Sequence, residues 1–170
     1  RKRTSKLGDY RSPHKGNGHQ ITVNHDLNPY AFLITLVHEL AHLLTWERYR
    51  NRVRAHGEEW KTAFRELMDP FMEMGIFPPD IRQALQRYLR KSYASSGSDL
   101  NLSRALREYD ASREPSLEDL EEGSIFRLSN GRTFKKGPRV RKRYRCLCID
   151  NNRIYLVNSL VKVEVAECRA

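Results

Sequence analysis

Five residues, His38-Glu39-Leu40-Ala41-His42, restrict what this chain can fold into more than any other feature of its sequence. Residues four apart on an α-helix are separated by about 400°, only about 40° from eclipsed, so both imidazoles leave one face one turn apart. That spacing lets two ring nitrogens reach a single Zn²⁺ at about 2.0–2.1 Å. Glu39, beside the first ligand, is aimed poorly at a metal but well at a water next to it. The surrounding residues support a helix. Asn28 is a suitable N-cap and Pro29 a suitable first-turn residue, which predicts a helix from about Tyr30 to Tyr49. Leu33, Leu36, Val37, Leu40, Leu43 and Leu44 form its expected inward stripe. Two histidines and a glutamate on a buried helix carry a heavy desolvation cost unless a metal or dense hydrogen bonding offsets it.

A catalytic zinc takes three protein ligands and keeps one position open. The extended zincin pattern places a glycine three residues and a histidine six residues beyond the second His. Thr45 and Arg48 stand there and exclude that variant. His14, His19 and His25 fall in loop or strand, where histidines usually decorate a surface. His56 opens the next predicted helix in Ala55-His56-Gly57-Glu58-Glu59-Trp60, after a basic connection over Arg48–Arg54 long enough to bring that helix back across the first. Gly57 permits close backbone approach, and Trp60 with Phe64 would pin the helix to the core. Ligand type favours His56 as the third ligand, with Glu58 and Glu59 as rival carboxylates.

The remaining chain divides in style. Gln20–Asn24 alternates like a short strand with Ile21 and Val23 on one face, entered from a Gly/Pro-broken loop or hairpin. A second helix should run from about His56-Gly57 to Gly75, carrying Trp60, Phe64, Leu67 and Met68 inward. A third follows Pro78-Pro79-Asp80 with Ile81, Leu85, Tyr88 and Leu89, and a short one lies near Leu100–Tyr109. Ser95-Ser96-Gly97-Ser98 reads as a turn or connection. After the acidic stretch Glu118–Glu122 the pattern becomes strand-like, with Asn130-Gly131 and Asp150-Asn151-Asn152 as turns. The expected domains are therefore residues 1–115 and a small all-β module over 116–170.

At 170 residues with 39% hydrophobic content the chain can bury a core without staples. Ala31–Val37, its longest mostly apolar run, is too short to cross a bilayer, and no secretory signal is visible, which points to a cytoplasmic protein with no membrane partner. Three cysteines, Cys146, Cys148 and Cys168, suit a reducing compartment better than a disulfide scaffold. The net charge of +10 is concentrated at the two ends: residues 123–170 hold 12 Lys and Arg against 3 Asp and Glu. Such asymmetry points to an anionic partner, most often nucleic acid. Lys135, Lys136, Arg139, Arg141, Lys142, Arg143 and Arg145 surround Phe134 and Tyr144, a composition able to neutralise phosphates while an aromatic stacks on a base. Arg1, Lys2, Arg3, Lys6 and Arg11 could extend that footprint. No base-reading motif is visible, so binding to DNA should be sequence-tolerant.

Three segments together resemble the SprT-like zinc metalloproteases: Ile21-Thr22-Val23-Asn24, then Thr35-Leu36-Val37-His38-Glu39-Leu40-Ala41-His42, then His56-Gly57-Glu58-Glu59-Trp60. They match a strand ending in Asn, a Thr-Leu-x-His-Glu-x-x-His helix and a His-Gly-x-x-aromatic helix start, over about residues 1–90. The resemblance implies an α+β, zincin-like body with a short sheet. It implies one catalytic Zn²⁺ on His38, His42 and His56, with Glu39 as acid/base. It also implies protein substrates on, or crosslinked to, DNA. Many members end in a zinc ribbon of two Cys-x-x-Cys knuckles. Here Cys146-Leu147-Cys148 and a distant Cys168 are one residue short of four and wrongly spaced, so no second, structural zinc is expected. Cys146 and Cys148 share one strand face and read as packed core side chains.

On this reading Glu39 takes a proton from the attacking water and passes it to the leaving amine. Ile21, Thr22 and Val23 offer a strand edge to an extended substrate, with little sequence selectivity. The competing reading is a non-catalytic nucleic-acid-binding module in which zinc only stabilises the fold. Glu39 beside an open coordination position favours the protease, because a structural zinc is usually closed by four protein ligands.

Overall fold

A computed structural model describes residues 6–91, 99–112 and 114–165 of the chain. The architecture is α+β, divided into two compact units, residues 1–111 and 112–170. Arg1, Lys2, Arg3, the Ser95–Ser98 connection and Cys168 lie outside the described residues.

The first unit opens with an antiparallel hairpin of β1 (Gly8–Arg11) and β2 (Gln20–Val23), in which Gly8 faces Val23 and Tyr10 faces Ile21. Among the described residues four α-helices follow: α1 (Pro29–Tyr49), α2 (Glu58–Glu73), α3 (Pro79–Lys91) and α4 (Leu100–Arg107). Asn28 caps α1 by accepting the N–H of Ala31. Its amide also donates to the Leu106 carbonyl at 2.8 Å and to Asp110 at 2.7 Å, tying the start of α1 to the end of α4.

The row of α1 that faces the core shares Val37 with the expected stripe and has Leu33 and Leu44 packed at its edge, but is otherwise shifted. The buried residues are Ala31, Ile34, Thr35, Val37, His38, Glu39, Ala41 and Thr45, while Leu33, Leu36, Leu40, Leu43 and Leu44 are only half-buried. The two rows are adjacent on the helix, and the inner one wins because Trp60, Ala63, Phe64 and Met68 of α2 join it in the core. Small Ala41 and β-branched Ile34 and Val37 share that buried cluster with Trp60, whose ring lies 4.6 Å from that of His38. The histidine face is thus the core face. Ile81, Ala84, Leu85 and Tyr88 of α3 and Leu102 and Leu106 of α4 complete the cluster.

The second unit is an antiparallel sheet of β3 (Ile125–Arg127), β4 (Thr133–Val140), β5 (Arg143–Cys148), β6 (Arg153–Asn158) and β7 (Glu164–Val165), in the order β6-β5-β4-β3-β7. It is a meander whose last strand returns to pair with its first. Leu117, Phe126, Phe134, Cys146, Cys148, Val157 and Val163 form its core, and the two cysteines are buried and free. The register shifts between Lys136 and Arg139. Gly137 allows this bend, since a Cβ there would run into the Arg145 carbonyl. Among the described residues no helix is long and apolar enough to cross a membrane.

Replacing Asn28 removes the cap and leaves the Leu106 carbonyl without that amide. Asn28→Ala should therefore destabilise the first unit by about 2 kcal/mol, read as a lower urea midpoint at unchanged m. An unchanged midpoint would remove Asn28 as the link between α1 and α4.

Candidate metal centre

Three imidazoles converge where the hairpin, α1 and the start of α2 meet. His38 and His42 leave α1 one turn apart, and His56 comes from the turn ahead of α2 with φ of 59°. That left-handed backbone is uncommon for a residue with a side chain, and it is held in place by its neighbour. Gly57 N–H donates to the Arg54 carbonyl at 2.9 Å, and a Cβ on Gly57 would approach that carbonyl to 3.0 Å.

The Nε2 atoms of His38 and His42 lie 3.3 Å apart, and those of His38 and His56 lie 3.2 Å apart. One ligand atom from each of the three falls within 4.8 Å of the others. Nitrogens placed tetrahedrally about a zinc at about 2.0–2.1 Å should stand about 3.3–3.4 Å apart, so the spacing fits that ion. The chemistry of the donor set fits as well. A single Nε2 of His38 faces two other ring nitrogens, and one nitrogen cannot hold a proton for both and accept from both. A cation at the meeting point satisfies all three lone pairs. Burial pushes His38 down to about 3 and His42 to about 4, and lowers His56, with the charges of neighbouring imidazoles adding for the first two. All three are therefore neutral, as ligands must be. Trp60 walls the site, its ring 4.6, 5.3 and 4.7 Å from those of His38, His42 and His56.

The rival carboxylates do not join the cluster. Glu58 points to solvent and pairs with Lys61 at 2.6 Å, and among the described residues the metal-capable group is His38, His42 and His56 alone. His14 and His25 are exposed.

Glu39 is buried against the hairpin. A Cβ at Gly8 would come within 2.6 Å of Glu39 Oε1 and 2.8 Å of Thr35 Cγ2, so only glycine lets β1 lie this close. Burial, and secondarily the Asp9 charge, push the Glu39 carboxyl up to about 7, against the pull of Lys6 and of the Tyr10 N–H. Asp9 itself is held down by Lys6 at 3.0 Å and Arg11 at 3.1 Å. A cation in the histidine cluster would favour the carboxylate form of Glu39.

The hairpin brings residues that sequence reasoning missed. Tyr10 lies parallel to His42, with ring centroids 6.2 Å apart, and its hydroxyl meets His19, which in turn meets Glu47 of α1. A four-residue strand with one glycine and one tyrosine offers too little alternation to mark such contacts. Ile21, Thr22 and Val23 lie in β2 and pair with Tyr10, Asp9 and Gly8, so the Gly8 backbone that meets Glu39 and the Tyr10 ring that faces His42 both come from β1.

The basic segment of the second unit is divided by its strand alternation. Lys135, Arg139, Arg141, Lys142, Arg143 and Arg145 are exposed. Lys136 is turned inward, 5% exposed, with its ammonium donating to the Leu120 carbonyl and lying 4.1 Å over the Tyr144 ring. It cannot serve a phosphate, and Phe134, buried in the core, cannot stack on a base. In the first unit, Lys6 and Arg11 are engaged with Asp9.

Residues 2–83 match the family model of the SprT-like family. Protein SprT from two strains of Pseudomonas aeruginosa, LESB58 and PAO1, is 33% identical over 78 residues, covering 41% of this chain and 42% of each relative. The matched stretch thus spans less than half the length of those relatives. No solved structure matches the chain.

Ligand binding to the folded state alone sets a measurable stabilisation. Zinc at a free concentration of about 100 Kd should raise the unfolding free energy by about 2.7 kcal/mol, reversibly with a chelator, and His56→Ala should abolish the shift. Wild-type melting indifferent to zinc would refute the cluster as a metal site.

Proposed function

We propose that this chain, which belongs to the SprT-like family over residues 2–83, is a zinc-dependent endopeptidase with a zincin-like catalytic body. The observation that carries this reading is the meeting of three neutral imidazoles beside a buried carboxylate, three protein ligands rather than four among the described residues. His38, His42 and His56 would hold the ion. When bound there, zinc would supply Lewis-acid chemistry for a peptide carbonyl and for water near neutral pH.

The chain's own residues do the rest. Glu39, fixed between α1 and Gly8, takes the proton from the attacking water and returns it to the departing amine. Trp60 keeps the imidazoles oriented and excludes solvent from one side. The β1–β2 hairpin, with Ile21, Thr22 and Val23 in its second strand, is the element along which an extended peptide would lie, held by main-chain hydrogen bonds that read little sequence. Such an enzyme is directed by where it is held, and proteins on or crosslinked to DNA in the cytoplasm are the proposed substrates. Lys135, Arg139, Arg141, Lys142, Arg143 and Arg145, all exposed, supply the charge for the phosphate backbone. The alternative of a purely structural zinc is disfavoured by the burial of a carboxylate beside the cluster, which costs stability and serves no structural ion.

Glu39→Gln should retain zinc and lose casein cleavage by at least roughly 100-fold, the lower range for general-base catalysis. Ordinary turnover by that variant would remove Glu39 from the proton-transfer role. Binding of labelled single- and double-stranded DNA should weaken steeply with salt, and the double substitution Arg141→Glu with Lys142→Glu should flatten that slope by about one unit per lost phosphate contact. Negligible binding at low salt would discard the DNA partner while leaving the peptidase standing.

A further inference from the structure

The hairpin carries a histidine that the metal cluster does not use. Tyr10 Oη lies 2.9 Å from His19 Nδ1, and His19 Nε2 lies 2.7 Å from Glu47 Oε1. One chain of hydrogen bonds thus joins β1, the residue just before β2, and α1. It is braced from the side: His19 stands edge-on to Trp46 at 5.0 Å, and Arg50 lies 4.1 Å over Trp46 while reaching Glu47 at 3.4 Å. Its other end reaches the metal cluster, where the Tyr10 ring is parallel to that of His42 within 6°. Alternation along β1 puts Gly8 and Tyr10 on one face, so the strand that touches Glu39 presents Tyr10 about 7 Å further along the same wall.

The direction of each hydrogen bond follows from the donors available. A carboxylate oxygen of Glu47 accepts, so His19 offers it Nε2–H. In that tautomer Nδ1 carries only a lone pair, and Tyr10 is the donor to it. In that tautomer the phenolic proton points at His19.

We propose that Tyr10 is the second electrophilic donor of this site, its hydroxyl turning from His19 Nδ1 to the oxygen of the scissile carbonyl and stabilising the charge that develops there. The inference rests on the peptidase reading. No proton changes owner, because one acceptor replaces another. A neutral carbonyl is no better an acceptor than the imidazole nitrogen, so the exchange gains little with bound substrate. A developing oxyanion accepts about twice as strongly. The new hydrogen bond is therefore made chiefly in the transition state, where it raises kcat rather than ground-state binding. The side chain of His19 is 24% exposed, so water can take up Nδ1 when Tyr10 leaves it. His19 and Glu47 are positioning residues, acting through Tyr10.

The test uses the full chain loaded with zinc and three readouts: zinc content, steady-state peptide cleavage, and affinity for a peptide with a phosphinate in place of the scissile amide. Tyr10→Phe should keep its zinc and its KM, lower kcat roughly 100-fold, and lose phosphinate affinity by a similar factor. His19→Ala should lose less of both, in the same proportion, and Tyr49→Phe, an exposed tyrosine at the far end of α1, should change neither. Tyr10→Phe with wild-type kcat and phosphinate affinity would overturn the assignment, as would a loss of zinc or a raised KM at constant kcat. A wild type that holds zinc and cleaves peptide while Tyr10→Phe does so equally well removes Tyr10 alone. A wild type that does neither removes the peptidase reading and this assignment together.

Discussion

The desolvation of three imidazoles, two from the core side of α1 and one from the turn ahead of α2, is the constraint on which the first unit depends. His38 is 8% exposed and sits in the same row as Ile34, Val37 and Ala41, so the site cannot be separated from the packing of α1 on α2. Each imidazole in that environment is disfavoured as a cation, and neutrality leaves three lone pairs facing one another. The arrangement is poor as a hydrogen-bond network and good as a ligand set. His38 Nδ1 is buried without a partner among the described residues.

Rigidity follows from the same packing. Trp60 lies stacked on Phe64 at 5.2 Å and against all three histidines, so the wall of the site is also the centre of the core. Gly8 does the corresponding work on the other side, letting a strand rest directly on Glu39. A glutamate confined between a helix and a strand has few rotamers to lose on reaching its working geometry, which is the advantage of a site built on regular elements.

Much of this was legible in the sequence because the determining features were local. The His38–His42 spacing is a property of one helix, and the Asn28 cap and Pro29 fix where that helix starts. His56 was less direct, since its place beside His38 depends on a connection whose path periodicity does not describe. The expected stripe of α1 holds at Val37, with Leu33 and Leu44 packed at the edge of the core, but a hydrophobicity count passes over Ala31, Ala41 and His38, which lie further inside than Leu36, Leu40 and Leu43. Tyr10, His19 and Glu47 were not legible at all. They come from three separate segments, and only the hairpin's closure over α1 joins them. In the second unit, the basic run looked uniform. The two-residue period of β4 turned Lys136 into the interior and left Lys135 outside.

The central claim is that three imidazoles share one zinc ion and leave a coordination position unfilled by protein. X-ray absorption at the zinc edge of the purified full chain tests it most directly. The account predicts three imidazole nitrogens at about 2.0–2.1 Å and no sulfur neighbour, with one imidazole lost in His56→Ala. Sulfur in the first shell, four protein ligands, or a spectrum indifferent to His56→Ala would contradict it.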